Sequence, residues 1–344
     1  MILTSYQGKG INMKKQFVCI LTALLLLCSG CAGEKAQTDG AQDDGRVEAT
    51  VMRVAALKGP TAMGLVKLMD DAALSSDLQK YDFSLAASAD EVTPLLIKGE
   101  LDAVCVPANL ASILWNKTDG GVSVLAINTL GVLYVVENGE SVHSLADLRG
   151  KTVVASGKNS TPEYVLRYLL AQNGLDAERD VTLVWKSEHS ECVSALATGA
   201  ATLALLPQPF VTVAQGKLPG LRTALDLTAE WDRLENGSAL LTGVVVARRA
   251  FVEEHPDAVA AFLDEYAASV DWVNANTADA AKRIGAHGIV AAEVAEQALP
   301  QCNIVCITGD AMQEKLSGYL EVLYEQAPET VGGKLPDGDF YFGT

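Results

Sequence analysis

The sequence predicts an α/β fold of two similar lobes facing each other across a cleft, and three observations predict it. Eight residues recur at an offset of 100: Val54, Ala55, Lys58, Thr61, Glu91, Leu96, Gly99 and Pro107 reappear as Val154, Ala155, Lys158, Thr161, Glu191, Leu196, Gly199 and Pro207. Short apolar runs alternate with amphipathic ones through both copies, the pattern of strand-and-helix layers. In each copy the repeated residues cluster where a strand hands over to a helix. The first amides of a helix have no partner inside it. Two sets of helix starts turned toward one cleft would therefore hold a small polar ligand.

In the first copy, Val51–Leu57 reads as a strand. Lys58-Gly59-Pro60-Thr61 leads into an amphipathic run from Ala62 to about Ala73, with Met63, Val66 and Met69 on one stripe. Tyr81–Ala86 alternates like a strand, and Ser88-Ala89-Asp90-Glu91 has the form of a capping box for a helix that stops near Gly99. Asp102–Val106 reads as a buried strand, and Pro107-Ala108-Asn109 opens another helix.

The second copy repeats this order. Lys151–Ser156 is a strand, and Gly157-Lys158-Asn159-Ser160-Thr161-Pro162-Glu163 leads into a helix through Ala171. Val181–Trp185 is a strand, Glu191–Thr198 a helix, Leu203–Leu206 a strand, and Pro207-Gln208-Pro209 starts the next helix. Between the copies lie two apolar runs, Val122–Ile127 and Leu130–Val136; Leu240–Ala247 is a further β-rich run. Pairing of 130–136 with 240–247 would carry the chain between lobes twice, making a hinge. The remaining stretch is helical at Pro256–Asn274, Ala278–Gly285, Glu293–Leu299 and Asp310–Gln326, a tail returning to the first lobe. The expected division is 51–137 with 240–344 in one lobe and 138–239 in the other.

The N-terminus reads as a targeting segment. Residues 1–30 hold Lys9, Lys14 and Lys15 and no acid, and Phe17 to Cys28 form a 12-residue apolar run. That run is short for a membrane span and suits a signal-peptide core. Leu27-Cys28-Ser29-Gly30-Cys31 resembles a bacterial lipobox, which implies lipidation at Cys31 and anchoring to the outer face of the cell membrane. Met1 and Met13 both remain open as the start. Residues 31–50 are polar and unpatterned, a tether of about 25 Å root-mean-square reach.

Composition excludes several function classes. The 344 residues carry a formal charge of −17 with no basic stripe, which argues against nucleic-acid binding and mildly against polyanionic ligands. Cys105, Cys192, Cys302 and Cys306 form no C-x-x-C, and the four histidines, His143, His189, His255 and His287, are scattered, so neither metal nor cofactor is expected. A nucleophile-and-base set is equally unsupported, with His189, near the cleft, the one candidate to test for an enzyme.

The candidate cleft residues are Gly59, Pro60, Thr61, Ala62, Pro107, Ala108, Asn109, Gly157, Asn159, Ser160, Thr161 and Gln208. Glycine permits close backbone approach, and the Asn, Ser and Thr side chains offer donors. Ser160 or Thr161 could equally cap its own helix, with Pro162 filling an early position. Lys58 and Lys158 read as solvated, Trp115 and Trp185 as core, and Gly99 and Gly199 as helix terminators.

Lipobox, tether, Lys58-Gly59-Pro60-Thr61, Ser160-Thr161-Pro162-Glu163-Tyr164 and Leu206-Pro207-Gln208-Pro209-Phe210 together resemble a solute-binding lipoprotein of an ABC importer. The similar group is the nitrate, sulfonate, taurine and thiamine-precursor class. The resemblance implies a two-lobed type II periplasmic-binding-protein fold with two hinge crossings. It also implies a small polar, anionic or heteroaromatic solute, a membrane permease as partner, and a monomer. Family members often carry Glu where this chain has Gln208 and Asp where it has Thr202, which removes an acidic contact for a cationic ligand. No arginine falls in the expected loops, so no bidentate clamp on an oxyanion is expected. A pyrimidine-related enzyme of the same fold, or a lipoprotein that senses its ligand, are the alternatives.

Overall fold

The computed structural model describes residues 50–74, 80–158 and 160–343. The leader, Cys31, most of the tether and Asn159 lie outside the described residues. The first copy runs β1 (Val51–Leu57), α1 (Pro60–Met63), α2 (Val66–Leu74), β2 (Lys80–Ala86), α3 (Ala89–Lys98), β3 (Ala103–Pro107), α4 (Ala108–Lys117) and β4 (Val122–Leu130). β5 (Leu133–Glu137) follows. The second copy runs β6 (Thr152–Ser156), α5 (Thr161–Gln172), β7 (Thr182–Lys186), α6 (His189–Ala197), β8 (Leu203–Pro207), α7 (Phe210–Lys217) and β9 (Arg222–Asp226). After α8 (Leu227–Asp232) come β10 (Leu241–Arg248), α9 (Arg249–Glu254), α10 (Pro256–Ala275), α11 (Thr277–Ala286), α12 (Ala292–Ala298), β11 (Ile304–Ile307) and α13 (Gly309–Gln326).

Two sheets carry the two lobes, in the orders β11-β4-β10-β3-β1-β2 and β7-β6-β8-β5-β9. Each has the same plan: a second, first and third strand in parallel, then one antiparallel strand borrowed from elsewhere in the chain, then a fourth. β10 runs antiparallel between β3 and β4, and β5 antiparallel between β8 and β9. The expected pairing of 130–136 with 240–247 is thus corrected. β4 is the partner of β10, and the run at 133–137 joins the second sheet rather than closing the first. Strand partners are long-range choices that an apolar run does not encode. The first exchange falls at Gly131 and Val132, between β4 and β5. A side chain at Gly131 would overlap the Thr228 hydroxyl on α8, so the two crossings lie against each other.

The repeat is mostly structural grammar. Val54 and Val154 face the outer cores of their sheets, while Ala55 and Ala155 face a core common to both, the alternation a strand imposes. Glu91 Oε1 accepts from the Ser88 amide at 3.0 Å, and Glu191 Oε2 from the Glu188 amide at 3.1 Å, closing the first turns of α3 and α6. Leu96 and Leu196 are buried on those helices, which Gly99 and Gly199 end at φ 77° and 74°. Pro107 and Pro207 are the last residues of β3 and β8.

The common core links the lobes, and the tail reinforces it. α10 packs on α2 and β11, α12 touches α7, and α13 lies on α4, β4 and α5, so the tail bridges both lobes rather than returning to one. Trp231, fully buried, packs between the tilted rings of Tyr168 and Tyr319, with centroids at 4.8 Å and 5.8 Å, joining α5, α8 and α13. Trp115 is a core residue edge-on to Phe340, and Cys105, Cys192 and Cys302 are buried thiols. Burial pushes Cys105 and Cys302 up to about 12, so neither is a ready nucleophile.

Asp102, 1% exposed, pins β1 and β10 to the start of β3. Its Oδ2 accepts from the Arg53 amide (3.0 Å) and Nε (2.8 Å), and its Oδ1 from Arg53 Nη2 (2.7 Å) and Arg248 Nη2 (2.9 Å). Burial works to raise this carboxyl, but the hydrogen bonds from Arg53 and Arg248 outweigh it and hold it below the usual carboxylate range. A depressed folded pKa contributes stability that is present above the unfolded value and lost as pH falls through the folded one. Asp102→Asn should therefore cost about 3 kcal/mol at neutral pH and flatten the loss of stability below about pH 4. Urea midpoints measured from pH 7 to 3 check it, and an unchanged acid limb would count against this role.

Candidate functional site

In each lobe the parallel strands end, and their helices begin, along one edge. β1 and β3 deliver the starts of α1 and α4; β6 and β8 deliver those of α5 and α7. The edges meet. Thr161 Oγ1, on the first residue of α5, lies 3.4 Å from Asn109 Oδ1, on the second residue of α4.

On the second lobe, Gly157 takes φ 84°, and a Cβ there would come within 2.8 Å of Ser160 Oγ and 2.9 Å of Pro162. Ser160 Oγ donates back to the Gly157 carbonyl at 2.6 Å, so this hydroxyl winds the loop and does not cap α5. The amide of Thr161 has no acceptor inside the helix by virtue of its position. Tyr319, on α13, is fully buried, and its hydroxyl has no hydrogen-bond partner among the described residues.

On the first lobe, Gly59 sits at φ 138°, ψ −160°, a conformation open to glycine. The helix expected from Ala62 to Ala73 is broken near Gly64. A Cβ at Gly64 would press on Ile304, Tyr266 and Val270, each 3.0 Å away. The Ser269 hydroxyl stands between the Gly64 carbonyl (2.6 Å) and the Leu68 amide (3.1 Å), so α1 is one turn long, and its dipole is weak. Thr61 is buried and donates its hydroxyl to Leu57 O at 2.9 Å, while its carbonyl accepts from Asn128 Nδ2 at 3.2 Å. Ala62 and Ala108 are buried as whole residues, and the Ala62 amide donates to the Gly59 carbonyl at 3.1 Å, so neither expected contact is presented to a solute; Pro60 and Pro107 shape the two turns. Asn109 Nδ2 donates to Thr330 O at 3.1 Å, which directs its Oδ1 at Thr161.

Gln208 takes a different place from the one expected. Its side chain is 1% exposed. Oε1 accepts from the Thr212 amide (3.3 Å) and hydroxyl (3.0 Å), and Nε2 donates to Gln301 Oε1 at 2.6 Å. Its hydrogen-bonding groups are engaged by protein rather than presented to a solute.

One wall belongs to the second lobe alone. Ser156 Oγ lies 2.5 Å from His189 Nδ1, and the His189 ring packs on Phe210 with centroids 5.0 Å apart. The positions 100 residues earlier hold Ala56, Ala89 and Leu110. Burial lowers the His189 pKa, which favours the neutral imidazole. Lys58 and Lys158 are exposed. Neutral hydroxyls, amides and helix starts thus dominate the facing edges, and no cluster of potential metal ligands occurs among the described residues.

Two α/β lobes, two crossings and opposed helix starts define a two-lobed solute-binding receptor of the type II periplasmic class. The chain belongs to the family described as ABC transporter, phosphonate, periplasmic substrate-binding protein, whose model matches residues 72–297. That family is extracytoplasmic and its members are transport components. No helix among the described residues is long and apolar enough to cross a membrane. Proteins of Brucella abortus (strain 2308) and Brucella suis biovar 1 described as binding proteins are 27% identical over 163 residues, 47% of this chain. The match spans about half the length of these curated relatives, 49% of each. Solved structures that share the fold include two of transport proteins. An ABC transporter from Parabacteroides distasonis gives a TM-score of 0.73 at 24% identity, covering 85% of this chain and 98% of that one. The periplasmic aliphatic sulphonate binding protein SsuA from Escherichia coli gives 0.68 at 14% identity, covering 85% and 92%.

Proposed function

We propose that this chain is the binding component of an ABC importer that captures one small solute between its lobes and presents it to a membrane permease. The contact of Thr161 with Asn109 carries the reading, because it sets the start of α5 against the start of α4 across the lobe boundary. The solute is polar and of low charge, of sulfonate, nitrate, phosphonate or heteroaromatic type. Amides and hydroxyls can surround such a group, whereas a cation finds no carboxylate among Asn109, Ser160, Thr161 and His189. Binding is the whole task of this site, and catalysis is no part of the proposal. Lipidation at Cys31 would hold the receptor, working as a monomer, at the outer face of the membrane.

The test is a thermal-unfolding screen of ligand-stripped protein against alkylsulfonates, alkylphosphonates, nitrate, pyrimidines and thiamine precursors. A solute at 100 times its dissociation constant should add about 2.7 kcal/mol, a rise of several degrees for one chemical class. No rise with any class would remove the reading.

A further inference from the structure

We infer that Gln301 is the catch of an interlobe clasp that holds the two lobes together before any solute arrives. The turn Leu299–Gln301 lies between α12 and β11 of the first lobe, yet it reaches the second lobe at two points. Tyr134 on β5 donates its hydroxyl to the Gln301 carbonyl at 3.0 Å, and Gln208, just ahead of α7, donates Nε2 to Gln301 Oε1 at 2.6 Å. Tyr134 and Gln208 are 4% and 1% exposed. Gln208 is itself fixed, since its Oε1 closes the first turn of α7 through Thr212.

The same segment is tied to the first crossing. Asn303 Nδ2 donates to Gly131 O at 2.5 Å, and the Asn303 carbonyl accepts from the Leu130 amide at 3.0 Å. One end of a three-residue stretch is therefore fixed at the crossing, and the other grips the second lobe. α12 adds its contact with α7 alongside. Separating the lobes on this side breaks both bonds to Gln301 and leaves two largely buried side chains seeking new partners, an unfavourable exchange. Gln301 itself is exposed and is not part of the candidate cradle.

The clasp raises the fraction of molecules already arranged to bind, and apparent affinity scales with that fraction. This last link rests on the importer reading; the clasp does not. Small-angle scattering of the ligand-free chain compares wild type, Gln301→Leu, Gln301→Glu and Tyr134→Phe. Gln301→Leu should increase the radius of gyration, Tyr134→Phe should move it the same way, and Gln301→Glu, which keeps an acceptor for Gln208, should match wild type. For any solute found in the screen, Gln301→Leu should weaken apparent affinity roughly 3- to 10-fold with the order of preference among solutes unchanged. Equal radii for wild type and both disruptive variants overturn the clasp. If no solute binds any variant, the importer reading fails while the scattering comparison still decides the clasp.

Discussion

Gly243→Ala is expected to lower stability by about 3 kcal/mol and to weaken solute binding at least tenfold, from a single added carbon. Gly243 lies on β10 beneath the start of α1. A Cβ there would stand 2.5 Å from Asn128 Oδ1 and 2.5 Å from Thr61 Cγ2. Neither neighbour can yield cheaply. Asn128 is fully buried, with Nδ2 on the Thr61 carbonyl and Oδ1 accepting from the Thr129 hydroxyl at 3.1 Å. The strain therefore passes into Thr61 and the one-turn helix that carries the first lobe's edge. Urea unfolding should show a lower midpoint at unchanged slope. A variant as stable as wild type, with normal affinity, would mean that β10 shifts to make room.

Thr161→Asp should separate stability from binding. An acid at the first position of α5 suits the helix dipole by about 0.3–1 kcal/mol, which offsets the loss of the hydroxyl contact with Asn109, so the melting temperature should change little. The same carboxylate would face an incoming anion at the start of α5 and would also oppose Asn109 Oδ1 across the lobe boundary. Like charges brought together cost several kcal/mol, so an anionic solute should lose on the order of 100-fold or more in affinity. Calorimetric titration beside a melting curve checks both halves. Retained affinity for an anion would place its charged end away from α5.

Much of this architecture could be read in advance because its signals are local. Strand alternation, the capping glutamates Glu91 and Glu191 and the terminating glycines Gly99 and Gly199 each act within a few residues. β9 carries little sequence signal because Arg222–Asp226 offers only two apolar residues between polar ends, and its place beside β5 is decided by tertiary pairing. The break at Gly64 is held from over 200 positions away by Ser269, whose hydroxyl donates to the Gly64 carbonyl at 2.6 Å and accepts from the Leu68 amide at 3.1 Å. The partner of Gln208 lies 93 residues off, in a segment with no motif. Gly243 was legible in principle, since a glycine inside Leu241-Thr242-Gly243-Val244-Val245-Val246 marks a close approach. The sequence places His189 near the cleft, but its bond to Ser156 joins residues 33 positions apart and leaves no motif.

The borrowed strand has a consequence for the order in which the protein can be made. As the chain emerges from the ribosome, β1, β2 and β3 can assemble, but the outer margin of β3 stays bare because its neighbour is β10. β4 waits beside it with nothing to bridge the gap until Arg248 has been synthesised. Bare strand margins recruit other chains. The nascent first lobe must therefore be kept apart from its siblings while the whole second lobe is still being translated.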